Sequence, residues 1–203
     1  MTRDGILVAR HERQLQASTN VAELPEFAAR RATQTILGEP VTDWFVEDFT
    51  LAELQRLRAR ETRPELRPAN AAFNDRFAVP ALAEVIRVLR EEGSRSGRVV
   101  GLYPELKDPE VFRARGHDPE RVLLAGLSGI AVPVYIQSFD ADSLRRLRPL
   151  TTLPPMPARP ACSCTAGRFA GKTCTWRSHF DGAARPQPVG TSAAKLLPRW
   201  TGA

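Results

Sequence analysis

A histidine, a carboxylate and an ammonium group are the side chains of this 203-residue sequence best placed, by type and spacing, to do chemistry. His11 stands one residue past the apolar run Gly5-Ile6-Leu7-Val8-Ala9-Arg10. An imidazole titrates near neutrality, so it can both give and take a proton. Glu105 and Lys107 lie two residues apart behind a second apolar run, at 98–103, and Gln137 and Phe139 close a third, at 132–139. Each has a plainer reading. A lone histidine is more often a surface or core residue, a Glu–Lys pair at a strand end is usually worth little, and Phe139 could simply pack in the core. His117, between Gly116 and an Asp-Pro helix start, reads as a loop residue. Trp44 and Phe45 either form a lip over a site or cover the core.

The C-terminal segment offers two temptations. Cys162, Cys164, Cys174 and His179 could be read as zinc ligands, but C-x-C-x9-C-x4-H matches no standard C-x2-C arrangement. The net charge of +6 hints at nucleic acid or anionic lipid until it is divided. Residues 1–150 hold 22 basic and 22 acidic side chains, and 151–203 hold seven basic and one acidic. That basic segment lacks the Lys/Arg run with interleaved aromatics that nucleic-acid binding favours. Nucleic acid is therefore not an expected partner, and no metal is expected at the cysteines.

The elements that must position these residues follow from patterning. No apolar run approaches the roughly 20 residues that span a bilayer, and the opening residues do not read as a signal peptide. The runs at 5–10, 98–103 and 132–139 read as buried strands. Thr50-Leu51-Ala52-Glu53 fits a capping box and opens a helix with Leu51, Leu54 and Leu57 on one face. Pro80 reads as a helix start, with Leu82, Val85, Ile86 and Leu89 on one face and Gly93 as the stop. Asp118-Pro119 starts a helix reaching Leu127, and Asp140 caps a short one carrying Leu144 and Leu147. Residues 18–48 and 61–79 read as loops, and charge pairs such as Arg145-Arg146 as solvated helix faces. Strands alternating with amphipathic helices predict an α/β fold with a parallel sheet, whose functional groups gather at the carboxyl ends of the strands.

On these residues a resemblance can be stated. The stretch from Thr2-Arg3-Asp4-Gly5 to His11-Glu12 resembles the T-x-D-G-x-x-V-x-x-H-[DE] segment of glycerophosphodiester phosphodiesterases. Colinear with it are Ser18-Thr19-Asn20-Val21, Trp44 through Leu54, Val79 through Val85, Tyr103-Pro104-Glu105-Leu106-Lys107 and Ile136-Gln137-Ser138-Phe139. The resemblance implies a (β/α)8 barrel of the TIM type that hydrolyses a small glycerophosphodiester to glycerol 3-phosphate and an alcohol. It further implies a divalent cation, Ca²⁺ or Mg²⁺, held by carboxylates, with two histidines as acid and base. Residue by residue, His11 matches a catalytic histidine and Glu105 a metal-binding glutamate. Lys107 matches the lysine facing the phosphate, with Gln137 and Phe139 as further substrate-binding candidates. The long 18–79 insertion resembles the branch that includes exported bacterial enzymes.

The departures from the family pattern are also legible. A His-Arg-Gly motif and a Glu-x-Asp pair are expected upstream of the T-x-D-G segment, and this sequence opens at Met1 without them. A full barrel needs roughly 250 residues, whereas the matching body spans about 150. The expectation is thus a partial barrel over 1–150. An irregular segment over 151–203 would follow, with the composition of an out-of-frame translation of GC-rich DNA; Arg outnumbers Lys 26 to 3 across the chain. The alternative to a hydrolase is a non-catalytic remnant that binds anions around His11, Glu105 and Lys107.

Overall fold

The computed structural model describes residues 1–153 and the strand Pro155–Pro157. The three cysteines and His179 lie outside the described residues. The first apolar run forms an extended segment rather than the expected strand. Its pairing is a single antiparallel bridge, Val8 to Ala81, in which Ala9 donates to Pro80 O (2.9 Å) and Leu82 donates to Leu7 O (2.8 Å). The ladder stops there because Ala81 is already the N-cap of a helix, so its chain turns away. Upstream, Gly5 takes φ +81°, a left-handed conformation that favours glycine.

The stretch 18–48, expected to be a loop, is built instead from short 3₁₀ turns and a hairpin. Strands β1 (Ala32–Ile36) and β2 (Glu39–Asp43) pair antiparallel around Leu37-Gly38, both at positive φ (52° and 87°), as a two-residue primed turn requires. Pro40, a loop signal in the sequence, pairs with Thr35 next to the closing pair Ile36 and Glu39. That is a non-hydrogen-bonded position, where a missing N–H costs no ladder bond. Trp44 and Phe45 follow the hairpin into the core and form no lip. Both are buried, and Trp44 Nε1 donates to Phe27 O (2.6 Å).

Helix α1 (Leu51–Leu54) is a single turn closed by the expected capping box. Thr50 Oγ1 accepts from Glu53 N, and a Glu53 carboxylate oxygen accepts from Thr50 N. Leu54 and Leu57 are fully buried. A short helix α2 (Pro68–Ala71) interrupts the second expected loop. Helix α3 (Leu82–Ser96) buries Ile86 and Leu89 as its spacing predicts. It starts after Ala81 rather than at Pro80, and Glu84 caps it by accepting from Ala81 N (2.7 Å). It does not stop at Gly93. An interior glycine costs only about 1 kcal/mol, and the stop falls at Gly97, which takes the left-handed φ of 64°.

The parallel sheet is present, with shorter strands than expected. β3 (Glu105–Leu106), β4 (Ile136–Ser138) and β5 (Pro155–Pro157) lie side by side, the last inside the segment expected to be irregular. The run 98–103 is not a buried strand, since Val99 is 78% exposed. Its end still joins the ladder, where Leu102 donates to Pro133 O and Tyr135 donates to Leu102 O. Helices α4 (Pro109–Ala114), α5 (Pro119–Gly126) and α6 (Ala141–Leu147) connect and cover the strands. Asp118 and Asp140 cap α5 and α6 as the sequence indicates, and His117 lies in the connecting loop. Among the described residues no helix is long and apolar enough to cross a membrane.

Alternation along the sheet sorts its two faces. Leu106, Val134, Ile136 and Ser138 are buried against α5 and α6, in a cluster with Leu123, Leu127 and Leu147. Glu105, Lys107, Gln137 and Phe139 take the other face.

Candidate active site

One cleft brings the two halves of the expected constellation together. His11 and Glu12, from the end of the first extended segment, line it beside Glu105 and Lys107 from β3 and its exit. Arg10 and Arg13 also line it, so three fixed cations face two carboxylates. Burial pushes the Arg10 guanidinium down to about 10, against the opposing pull of Asp43 and Glu12, and it stays charged at neutral pH.

His11 is exposed (79%), and its Nδ1 is hydrogen-bonded to a Glu12 carboxylate oxygen. In the neutral ring Nδ1–H donates, which leaves the Nε2 lone pair free. Sequence reasoning assigned Glu12 no role, although the adjacent acid was visible in the His11-Glu12 dipeptide. Arg13 was also missed. It is buried under the cleft, paired with the equally buried Glu47, and donates to Asp108 Oδ2 (2.8 Å) and Gln34 Oε1 (3.0 Å). Asp108 directly follows Lys107, so Arg13 ties the histidine segment to the lysine segment.

Glu105 and Gln137 are partners in the parallel register and therefore neighbours on the open face. Glu105 Oε1 is buried without a hydrogen bond; Lys107 Nζ lies 3.1 Å away, within ion-pair range but off the hydrogen-bonding direction. A carboxylate lining the cleft offers the kind of oxygen ligand a hard cation takes, in competition with the Lys107 ammonium. A complete shell is another matter: among the described residues no three His, Cys, Asp or Glu side chains gather as metal ligands. Lys107 Nζ also stands over the Phe139 ring, 5.5 Å from its centroid. Phe139 is 65% exposed and so does not pack in the core. Gln137 and Phe139 share the sheet face with Glu105 but stand outside the cleft itself.

Comparison with known proteins decides the family. The sequence profile of the glycerophosphoryl diester phosphodiesterase family matches residues 1–162. This chain belongs to that family. Members are typically dependent on a divalent metal. The chain is 32% identical to a glycerophosphodiester phosphodiesterase of Arabidopsis thaliana over 170 residues, covering 75% of the chain and 44% of the relative. A glycerophosphodiester phosphodiesterase of Haemophilus influenzae is 27% identical over 161 residues, covering 73% and 42%. The chain thus spans less than half the length of these relatives. Among solved structures, a Silicibacter pomeroyi protein assigned as a glycerophosphoryl diester phosphodiesterase superposes with a TM-score of 0.52 at 22% identity. That match covers 76% of this chain and 50% of the other. The family and this neighbour agree on a TIM-barrel-like α/β fold.

Proposed function

We propose that this chain carries part of the site at which a small glycerophosphodiester is hydrolysed to glycerol 3-phosphate and an alcohol, a reaction of glycerol and lipid metabolism. The observation that supports this reading is the shared cleft: His11 and Glu105 with Lys107 come from distant parts of the sequence and line one opening. Glu12 holds the His11 ring through Nδ1. Nε2 can take a proton from the attacking water or, in its protonated form, give one to the leaving alkoxide; the two oxygens lie on opposite sides of the phosphorus, so a second group serves the other. The Lys107 ammonium offsets the charge that grows on the phosphoryl oxygens, and the Phe139 ring steadies it. Gln137 offers amide hydrogen bonds to the substrate on the same face. A bound Ca²⁺ or Mg²⁺ would supply Lewis-acid stabilisation of the phosphate. Glu105 would be one ligand for it, and the described residues do not complete its shell.

The test is release of glycerol 3-phosphate from glycerophosphocholine, with Ca²⁺ and with EDTA. His11→Ala should lower the rate by about 10²-fold or more. Activity that survives both EDTA and the substitution overturns the assignment. The incomplete ligand set favours one second reading, a non-catalytic anion-binding portion of a barrel. Phosphate binding lost in Lys107→Met, with no turnover by the unaltered chain, selects that reading.

A further inference from the structure

The loop joining α1 to α3 is hydrogen-bonded at its base, and that base carries exposed aromatic rings. Ala59 donates to Phe77 O (2.7 Å), Asp75 donates to Ala59 O (3.0 Å), and Glu61 N–H donates to Asn74 Oδ1 (2.8 Å). Arg60 clamps Asp75 and Glu23 together with fork-like hydrogen bonds. On this base Phe73 and Phe77 stack with ring centroids 6.2 Å apart while 46% and 59% exposed, and Leu66 is exposed beside them in sequence. Apolar side chains held out of the core by an ordered scaffold mark an interaction surface.

Position and charge say what that surface meets. The antiparallel bridge from Val8 to Ala81 runs the chain before Ala81 back along the residues after Val8. The base of the loop is tied to the cleft wall through Ser18: Arg60 N–H donates to Ser18 O (2.8 Å), and Ser18 Oγ accepts from Arg10 (2.6 Å), which lines the cleft. Residues 58–77 hold five arginines and three acids. Asp75 and Glu61 are taken up by Arg60 and Arg67, which leaves Glu65 as the one acid of the loop outside an ion pair among the described residues. Among the described residues, Arg58, Arg63 and Arg76 have no carboxylate partner, and Arg76 lies 5.9 Å over the Phe73 ring. A second copy of the chain would bring the same excess of positive charge against itself. A surface of anionic phosphates above hydrocarbon suits both features.

We propose that the loop bearing Phe73, Phe77, Arg63 and Arg76 docks the chain on an anionic lipid surface. The rings enter the headgroup boundary and the guanidinium groups meet lipid phosphates. This docking does not depend on the proposed hydrolysis and is read without it. The test is sedimentation of the full chain with vesicles of phosphatidylcholine, alone or mixed with phosphatidylglycerol. Binding is expected to the mixed vesicles only and to weaken as salt rises. The C-terminal segment is also basic, so the deciding variant keeps every charge. The double substitution Phe73→Ser with Phe77→Ser should weaken binding by about tenfold or more. Arg63→Gln and Arg76→Gln, which leave the rings in place, should each weaken it about fivefold. Binding unchanged in the double variant, equal binding to neutral vesicles, or a dimer in sedimentation analysis that the double variant abolishes would each overturn the proposal.

Discussion

Two apolar clusters divide the described residues, and they are finished to different degrees. The first gathers Leu15, Val21, Phe27, Trp44, Phe49, Leu54 and Leu57 from the segment that runs from the first extended run to just past α1. Its polar groups are largely satisfied from within. Asp43 Oδ1 accepts from the backbone of Leu15, Gln16 and Trp44. Arg30 lies over both Phe27 and Phe49 while its guanidinium forks onto Glu53 (2.8 and 2.5 Å). The second cluster, around Leu106, Ile136 and Leu147, fills one side of the parallel sheet, and the other side carries partly exposed Glu105, Lys107 and Gln137 beside a mostly exposed Phe139. Leu7, just ahead of the histidine segment, packs against both clusters. Stability and chemistry therefore fall on different surfaces. Substitutions in the first cluster should unfold the chain, and those on the open sheet face should change binding alone.

The largest expected effect is Phe49→Ala. Phe49 is fully buried and meets Phe27 edge to face at 5.0 Å, so truncation should cost about 4 kcal/mol, read from the urea midpoint. A cost below that of the same change at half-buried Leu144 would erase the contrast. Next comes Arg13→Met, which leaves the buried Glu47 carboxylate with only Gln34 and an Arg115 guanidinium 4.0 Å away and should cost about 3 kcal/mol. Adding Glu47→Leu should restore much of that loss, since the penalty lies in the unpaired charge. If the double variant is as unstable as the single, Arg13 acts through its packing over the Phe45 ring instead.

These contrasts were unevenly legible in the sequence. The caps at Thr50, Asp118 and Asp140 and the buried face of α3 were legible, because each cap acts on its own next turn and Leu82 to Leu89 carry their period with them; the start at Pro80 and the stop at Gly93 were not, since α3 begins after Ala81 and runs on to Gly97. The hairpin was not read. Its turn rests on Leu37 adopting a positive φ that its residue type disfavours, and Pro40 sends a loop signal whose cost depends on which ladder position it occupies. Strand lengths failed for a related reason. Val99 belongs to an apolar run yet has no facing layer among the described residues, and burial is a property of neighbours as much as of the run. At the site, His11, Glu105 and Lys107 were legible as types at strand ends. The Arg13 link to Glu47 and Asp108 was not, because it joins residues far apart in sequence.

Acid titration sharpens the same comparison. The hydrogen bonds from Arg30, with those from Thr50, hold Glu53 at about 2 against a usual value of 4.5. A carboxylate depressed in the folded state contributes stability that is fully present above its unfolded value. That contribution is lost as pH falls from about 4.5 towards 2. Allowing for its partial exposure to solvent, the contribution should be about 2 kcal/mol. Glu53→Gln should flatten the acid limb of a stability–pH curve over that window and lower stability at neutral pH. An unchanged acid limb would mean that the fork between Arg30 and Glu53 is not held in solution.

The smallest expected effect belongs to Phe139→Ala, and it bears most directly on the open face. The ring is mostly exposed, so its loss should shift stability by less than about 0.5 kcal/mol, unlike a truncation at buried Ile136 on the opposite face of the same strand. What it does remove is the partner beneath Lys107 Nζ. A cation over an exposed ring is worth about 0.5–1 kcal/mol, so inorganic phosphate should bind a few-fold more weakly, measured by calorimetry at constant salt. Weakened binding with an unmoved urea midpoint keeps chemistry and stability on separate surfaces. A large loss of stability with unchanged phosphate affinity would reverse the assignment and make Phe139 part of a packed layer.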